Sequence, residues 1–283
     1  MTDTVGAKLT EFGIFANSAI LGNEGADAAR LVEDLGFGAL WIAGSPQLPD
    51  LRPLLEATES LVVGTAIANI WRYEATEMAA DWEALERDFP GRAVAGIGAG
   101  HSELDDSYKN PLAAARRYLE ALDEAGQPPV DRRLLAAMAP RMLELAASRA
   151  AGSVPYFVPV SHTRFAREQL GEGPLLAPEL SCVVDEDPAR AREKIRDFTA
   201  LYLSLNNYRA AILRGGDFEE DDLDNGGSER LLDAVIPHGS AEGAAAVARE
   251  HLAAGADHVS LQVVGTESLP REEWTALAAV LFS

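Results

Sequence analysis

Arg92-Ala-Val-Ala-Gly-Ile-Gly-Ala-Gly-His101 is the segment of this chain most informative about its architecture. Residues 93–98 form a short run that is apolar on both faces, as a strand of a covered parallel sheet should be. The run opens onto Gly98, Ala99 and Gly100, so backbone borders whatever lies at its carboxyl end. Glycines at this spacing invite a dinucleotide-binding reading, and that reading fails on three counts. The third glycine comes one residue early, the next helix is delayed to Pro111, and the following strand ends in Met138-Ala139 where an acid is required.

Outward from this stretch the chain alternates short apolar runs with amphipathic segments. Strands are predicted at 9–16, 39–43, 61–67, 93–98, 133–138, 154–160, 180–184 and 258–264. Helices are predicted at 25–35, 51–58, 74–88, 111–125, 141–150, 164–170, 188–205, 240–254 and 271–282, with Ser161 as a helix N-cap. Residues 206–237 interrupt the rhythm with polar, acidic and glycine-bearing sequence and one helix near 228–235. The count points to a single-domain (β/α)8 TIM barrel over 1–283, with an insertion at about 206–237 between the seventh helix and the eighth strand. An open doubly wound sheet is the rival.

Composition bounds the function. The 283 residues are 47% apolar, ample for a large core, and their formal net charge is −21. Such acidity argues against nucleic acid and anionic membrane as partners. No apolar run has the length of a membrane span, and residues 1–8 lack the pattern of a secretory signal, so a cytoplasmic protein is expected. Cys182 is the single cysteine, which rules out an internal disulfide and a cysteine-based metal cluster. His238, His251 and His258 show no metal-ligand spacing, no metal is expected, and all three are expected at the surface or an interface.

In a barrel, the carboxyl ends of the strands carry the chemistry. Polar groups there are few: Asn69, Arg72, His101, Glu103 and His162 stand out. His101 is either a hydrogen-bonding or general-acid residue or a local backbone cap. Ser161, His162 and Thr163, with the amides of their helix start and Arg164 and Arg167 nearby, would suit a phosphate. The glycines either clear space for a flat ligand or merely relieve crowding at the rim. Trp71, Arg72 and Tyr73 either cover a ring or pack the rim.

Four segments carry a resemblance: Leu61-Val-Val-Gly-Thr-Ala-Ile-Ala-Asn-Ile-Trp71, Pro90-Gly-Arg-Ala-Val-Ala-Gly-Ile-Gly-Ala-Gly-His101, Ala139-Pro-Arg-Met-Leu-Glu-Leu-Ala146 and Gly255-Ala-Asp-His-Val-Ser-Leu-Gln-Val263. In order and at barrel spacing, the whole chain resembles the luciferase-like monooxygenase family, in its F420-dependent oxidoreductase branch. The resemblance implies a deazaflavin F420, or alternatively FMN, across the barrel mouth, and a non-proline cis peptide at Ala66–Ile67 with Asn69 near the ring. It further implies that Gly98, Ala99, Gly100 and His101 border the ring or ribityl chain. Gly152, Tyr156, Val160, Ser161, His162 and Thr163 would hold the ribityl-phosphate end. Phe15, Trp71 and Arg72 are the substrate-binding candidates, and His101 is the catalytic one. The implied activity is hydride transfer between F420 and a small organic substrate, and the implied assembly is a homodimer. Ala43-Gly44-Ser45 stands where many F420-dependent relatives have a histidine or acid, so no proton donor carries over there. An FMN-dependent monooxygenase, a non-catalytic flavin- or deazaflavin-binding barrel and a cofactor-free barrel isomerase or lyase remain the alternatives.

Overall fold

Short apolar runs cannot satisfy their own backbone groups, and here they do so by pairing side by side. The protein is described by a computed structural model over residues 9–103 and 108–283, so the expectation for residues 1–8 lies outside the described residues. The strands are β1 (Phe12–Asn17), β2 (Ala39–Ala43), β3 (Val62–Thr65), β4 (Ala93–Gly98), β5 (Arg133–Leu135), β6 (Gly152–Ser153), β7 (Glu179–Val184) and β8 (Val259–Val263). Ala68–Asn69 resumes the course of β3 and pairs with β4, Leu175–Leu176 pairs with β6, and His238–Gly239 pairs with the end of β7.

All of these pairings are parallel, and their path runs β7-β8-β1-β2-β3-β4-β5-β6 and on to Leu175–Leu176. That last piece and β7 belong to one continuous stretch of chain. Within it Ala177 N–H donates to Ser153 O on one side, and Ser260 N–H donates to Pro178 O on the other. The sheet therefore closes on itself as the expected (β/α)8 barrel.

The helices are α1 (Gly25–Asp34), α2 (Arg52–Glu56), α3 (Ala75–Asp88), α4 (Pro111–Ala125), α5 (Pro140–Arg149), α6 (Val160–Leu170), α7 (Pro188–Leu203), α8 (Asn206–Arg214), α9 (Glu229–Val235), α10 (Ala241–Ala253) and α11 (Arg271–Leu281). Their ends follow local chemistry. Asn110 accepts from Ala113 N–H ahead of Pro111, and Gly126 ends α4 in the left-handed region at φ 76°. Ser240 caps α10 by accepting from Gly243 N–H. No helix among the described residues is long and apolar enough to cross a membrane.

Strand alternation divides the core into two layers. Ile14, Leu40, Val63 and Ala95 face the helices, whereas Phe15, Trp41, Val62, Val94 and Leu134 fill the barrel. Trp41 is the main plug. A Cβ at Gly64 would lie 2.5 Å from its ring. Its Nε1 donates to His258 Nε2 at 3.0 Å, and His258 Nδ1 donates to Thr10 O at 2.6 Å, so His258 is neutral and fully buried.

Two expectations change. The strand predicted at 154–160 is β6, at Gly152–Ser153, because Pro155 and Pro159 have no N–H for a ladder. Val160 instead opens α6 with Pro159 in the capping position, so Ser161 lies inside the helix rather than capping it. The polar stretch 206–237 is also more folded than expected, holding α8 and α9. With α7 these form a second apolar cluster through Ile195, Leu205, Tyr208, Ile212 and Leu232. Both α7 and α10 pack on β7, and α10 also packs on β8.

Burial pushes His162, His251 and His258 down to about 4 from an ordinary value of 6.5, which makes stability depend on pH. The unfolded chain takes up these protons below pH 6.5, whereas the folded chain takes them up only near pH 4. The stability they contribute is therefore present above pH 6.5 and lost as pH falls through the window. The urea midpoint is expected to drop steadily from pH 6.5 to 4, with a shallower slope in His258→Gln. An unchanged slope in that variant would refute the buried neutral histidine.

Candidate functional site

The carboxyl ends of the strands surround a cavity of about 420 Å³, the position at which barrels carry their sites. Its floor is made where β3 leaves the sheet. The Ala66–Ile67 peptide is cis, the geometry implied by the resemblance. Thr65 Oγ1 donates to Gly96 O at 2.8 Å, and a Cβ at Gly96 would lie 1.9 Å from the Thr65 carbonyl oxygen. At Gly98 a Cβ would lie 2.9 Å from Ile67 Cγ1 and 3.1 Å from Ala136 Cβ. Gly96 thus makes room for the neighbouring strand, and Gly98, close to Ile67 and Ala136, also lines the cavity. The displaced β3 then presents Ala66, Ile67 and Asn69 to the cavity beside Gly98, Ala99 and Gly100.

Asn69 organises the turn that follows. Its Oδ1 accepts from Trp71 N–H at 2.9 Å, while Nδ2 faces Gly100. Trp71 Nε1 donates to Ala99 O at 2.7 Å, pinning the loop after β4 from behind. Neither Trp71 nor Arg72 lines the cavity, so the expected substrate contact by these two is not what the structure forms. Phe15 does line it, packed 5.3 Å from the Tyr156 ring.

His101 stands at the mouth, held by α8. Its Nδ1 is 3.1 Å from Asn207 Oδ1 and its Nε2 is 3.3 Å from the Tyr208 hydroxyl. With the amide oxygen accepting, Nδ1 carries the proton and Nε2 accepts from Tyr208. Burial lowers the pKa of His101, against weaker upward effects from Asn207 and Glu103, so the ring is neutral at pH 7.

Tyr156 reaches the cavity by a different device. Its hydroxyl donates to Gln262 Oε1 at 3.0 Å and lies 3.1 Å from the Tyr202 hydroxyl. The next residue, Phe157, has φ 53°, and its N–H donates to the fully buried carboxyl of Glu179 at 3.1 Å. Ser181 Oγ bonds the same carboxyl at 2.6 Å. Burial pushes Glu179 up to about 8, with both hydrogen bonds opposing, so this group is mostly protonated at pH 7.

The expected phosphate-end residues are used otherwise. Gly152 has φ 153° and abuts Leu175, where a Cβ would lie 1.9 Å from the carbonyl oxygen; it permits strand contact and does not line the cavity. Val160, Ser161, His162 and Thr163 form the first turn of α6 and do not line the cavity. His162 Nε2 bonds Met138 O at 3.1 Å, and Thr163 Oγ1 bonds His251 Nδ1 at 2.8 Å. Gly215, just after α8, covers this turn: a Cβ there would lie 2.4 Å from Ser161 Oγ and 2.9 Å from His162 N. His251 and His258, expected near the surface, are fully buried, because each ring is used as a hydrogen-bonding element of the core.

Sequence reasoning missed the wall that α7 and α8 contribute: Leu201, Tyr202, Leu205, Asn207, Tyr208 and Arg214. A signal existed in Tyr208, Ala211 and Ile212, whose i, i+3, i+4 spacing marks a helix face. Among the described residues lining the cavity there is one guanidinium, Arg214, and no carboxylate. No three His, Cys, Asp or Glu side chains among the described residues converge as metal ligands.

The sequence model of the luciferase-like monooxygenase family matches residues 10–130, a stretch that includes both the β3 and the β4 segments on which the resemblance was drawn. Among solved structures, an F420-dependent secondary alcohol dehydrogenase in complex with an F420–acetone adduct is similar with a TM-score of 0.71 and 15% identity, over 96% of this chain and 98% of that one. The coenzyme F420-dependent tetrahydromethanopterin reductase from Methanopyrus kandleri has a TM-score of 0.69 and 17% identity, over 95% of this chain and 97% of that one. The oxygenating constituent of 3,6-diketocamphane monooxygenase, a type II Baeyer–Villiger enzyme of Pseudomonas putida in complex with FMN, has a TM-score of 0.65 and 13% identity, over 96% of each chain. No curated protein sequence matches the chain. At these identities the structural likenesses establish the fold.

Two variants probe the framework of the site. Gly96→Ala is expected to lower the melting temperature, because the added carbon meets backbone that cannot rotate away; an unaltered melting temperature would contradict the close approach. Glu179→Gln tests the buried acid. A raised folded pKa gives stability that is full below about pH 4.5 and lost as pH rises through about 8. Wild-type stability should therefore decline across that range relative to Glu179→Gln, whereas parallel curves for the two proteins would exclude the shift.

Proposed function

We propose that this chain is an oxidoreductase that moves a hydride between deazaflavin F420 and a small organic substrate. One observation carries the reading. Among the described residues, the lining of the cavity at the barrel mouth is largely apolar and free of carboxylates, and its histidine, His101, is neutral with its proton placed on Nδ1. Such a site lacks the nucleophile and acid pair of a hydrolase and suits chemistry supplied by a bound cofactor, with the protein providing orientation and a proton.

The residues fit a flat ring system. Backbone at Ala66, Ile67, Gly98, Ala99 and Gly100 offers a floor without bulky side chains, and Asn69 Nδ2 supplies a donor for a polar ring edge. When bound, F420 supplies hydride transfer. Tyr156 and Phe15 give the opposing aromatic surface, and the α7–α8 wall keeps water from the interior. A substrate hydroxyl that displaces the Tyr208 hydroxyl from the single lone pair of His101 Nε2 gives its proton to that nitrogen, and in the reverse direction receives it back. Asn207 fixes the proton on Nδ1 and so keeps Nε2 as the accepting nitrogen.

An FMN-dependent monooxygenase is the second reading. Arg214 favours it, because FMN ends in a phosphate that one guanidinium matches, whereas F420 adds a polyglutamate tail that needs further cations. A small molecule is the substrate in either case, and a homodimer in the cell interior is the assembly that we carry over from the resemblance.

Fluorescence titration with F420 and with FMN decides between them. Tight F420 binding with weak FMN binding is the expected result. FMN preference transfers the assignment to the second reading, and failure of both ligands overturns the cofactor proposal. With F420 bound, His101→Gln is expected to lower kcat by about 10²-fold or more while leaving cofactor affinity unchanged. In the hydroxyl-oxidising direction, kcat should hold its neutral-pH value below pH 6.5, since burial lowers the pKa of His101. A decline already centred above 6.5 would refute that role.

A further inference from the structure

Helix α8 spans the cavity with a different polar group at each end. Asn207 and Tyr208 in its first turn hold His101. Seven residues later, about 10 Å along the axis at 1.5 Å per residue, Arg214 enters the cavity lining. Many arginines of this acidic chain are engaged with carboxylates, as Arg167 is with Asp257 and Arg209 with Glu220 and Asp224. Arg214 differs. It is half-buried, desolvation lowers its pKa with no carboxylate offsetting the effect, and no hydrogen bond or ion pair engages its guanidinium among the described residues.

Its surroundings are also unsatisfied. The positive charge of Arg214 is felt by His162, beneath Gly215, where both Ser161 Oγ and His162 Nδ1 are buried without a hydrogen-bond partner. A half-buried cation on an otherwise uncharged wall costs desolvation free energy that an anion would offset. The first turn of α6 is covered by Gly215, so Arg214 rather than that helix start presents positive charge to the cavity.

We propose that Arg214 is the anion receptor of this cavity and takes the phosphate that ends the ribityl chain of the bound cofactor. The assignment rests on the flavin or deazaflavin reading above. Helix α8 then acts as a ruler, engaging the proton-handling histidine at one end and the phosphate at the other. The added structure after β7 thereby selects for a phosphorylated ligand.

The test compares ligands with and without that phosphate: FMN against riboflavin, and F420 against its deazaflavin nucleoside lacking the phosphoryl tail. Affinities are read by fluorescence for the wild type, Arg214→Met and Arg214→Lys. The wild type is expected to prefer the phosphorylated member of at least one pair by about tenfold or more, the scale of one charge-assisted hydrogen bond. Arg214→Met should reduce that preference to near unity while keeping affinity for the unphosphorylated member, and Arg214→Lys should restore part of it. Added salt should weaken phosphorylated-ligand binding in the wild type and in Arg214→Lys but not in Arg214→Met. Equal losses for both members, or a preference that survives Arg214→Met, would overturn the assignment while the cofactor reading stands. If the wild type binds none of the four ligands, both fall. If it binds both members of each pair equally, with a salt-sensitive response to inorganic phosphate lost in Arg214→Met, the receptor serves a substrate anion and the cofactor assignment is overturned.

Discussion

The missing side chain at Gly96 is the constraint from which the rest of the site follows. It lets the Thr65 carbonyl come within 1.9 Å of where a Cβ would stand, with Thr65 Oγ1 bonded to Gly96 O. β3 can then depart from its ladder after Thr65 and resume at Ala68–Asn69, still paired with β4. Between the two pieces, Ala66 and Ile67 are turned to the barrel mouth. A Cβ at 96 would meet the Thr65 carbonyl and push the two strands apart at this point.

Below the floor, the barrel is closed by neutral hydrogen bonding rather than by charge. Trp41, His258 and the Thr10 carbonyl form one chain of donors and acceptors, and Gly64 leaves space for the indole. Glu179 is buried under the same rule: it is kept mostly protonated by desolvation and serves the Phe157 N–H and the Ser181 hydroxyl. A charged group at these depths would need a partner that the barrel does not supply. The outcome is a rigid base that presents Tyr156 upward.

Above the floor, the cavity is walled in part by the helices that follow β7. α7 and α8 cluster with α9 through Ile195, Leu205 and Leu232, and this small core holds Tyr202, Tyr208 and Arg214 over the mouth. The barrel provides the floor with Asn69, His101, Tyr156 and Gln262, and this segment adds Tyr202, Asn207, Tyr208 and Arg214. His101 shows the division. The loop after β4 places it, but Asn207 and Tyr208 decide which nitrogen bears the proton.

Periodicity determined the order of strands and helices, because that alternation is a local property that each segment carries in its own residues, whereas closure into a barrel rather than an open sheet came from long-range pairing. The resemblance at 61–71 and 90–101 located the floor on the same basis, since those glycines and small residues are contiguous in sequence. Local chemistry also misled at 154–163, where prolines shortened β6 and moved the start of α6, and Gly215 then covered the turn expected to bind phosphate. Only the tertiary structure decided which polar groups meet in the cavity. His101 meets Asn207 across 106 positions, and Tyr156 meets Gln262 across the same separation. Pairings of that range depend on how helices stack over a closed sheet, a geometry that no local pattern of residues encodes.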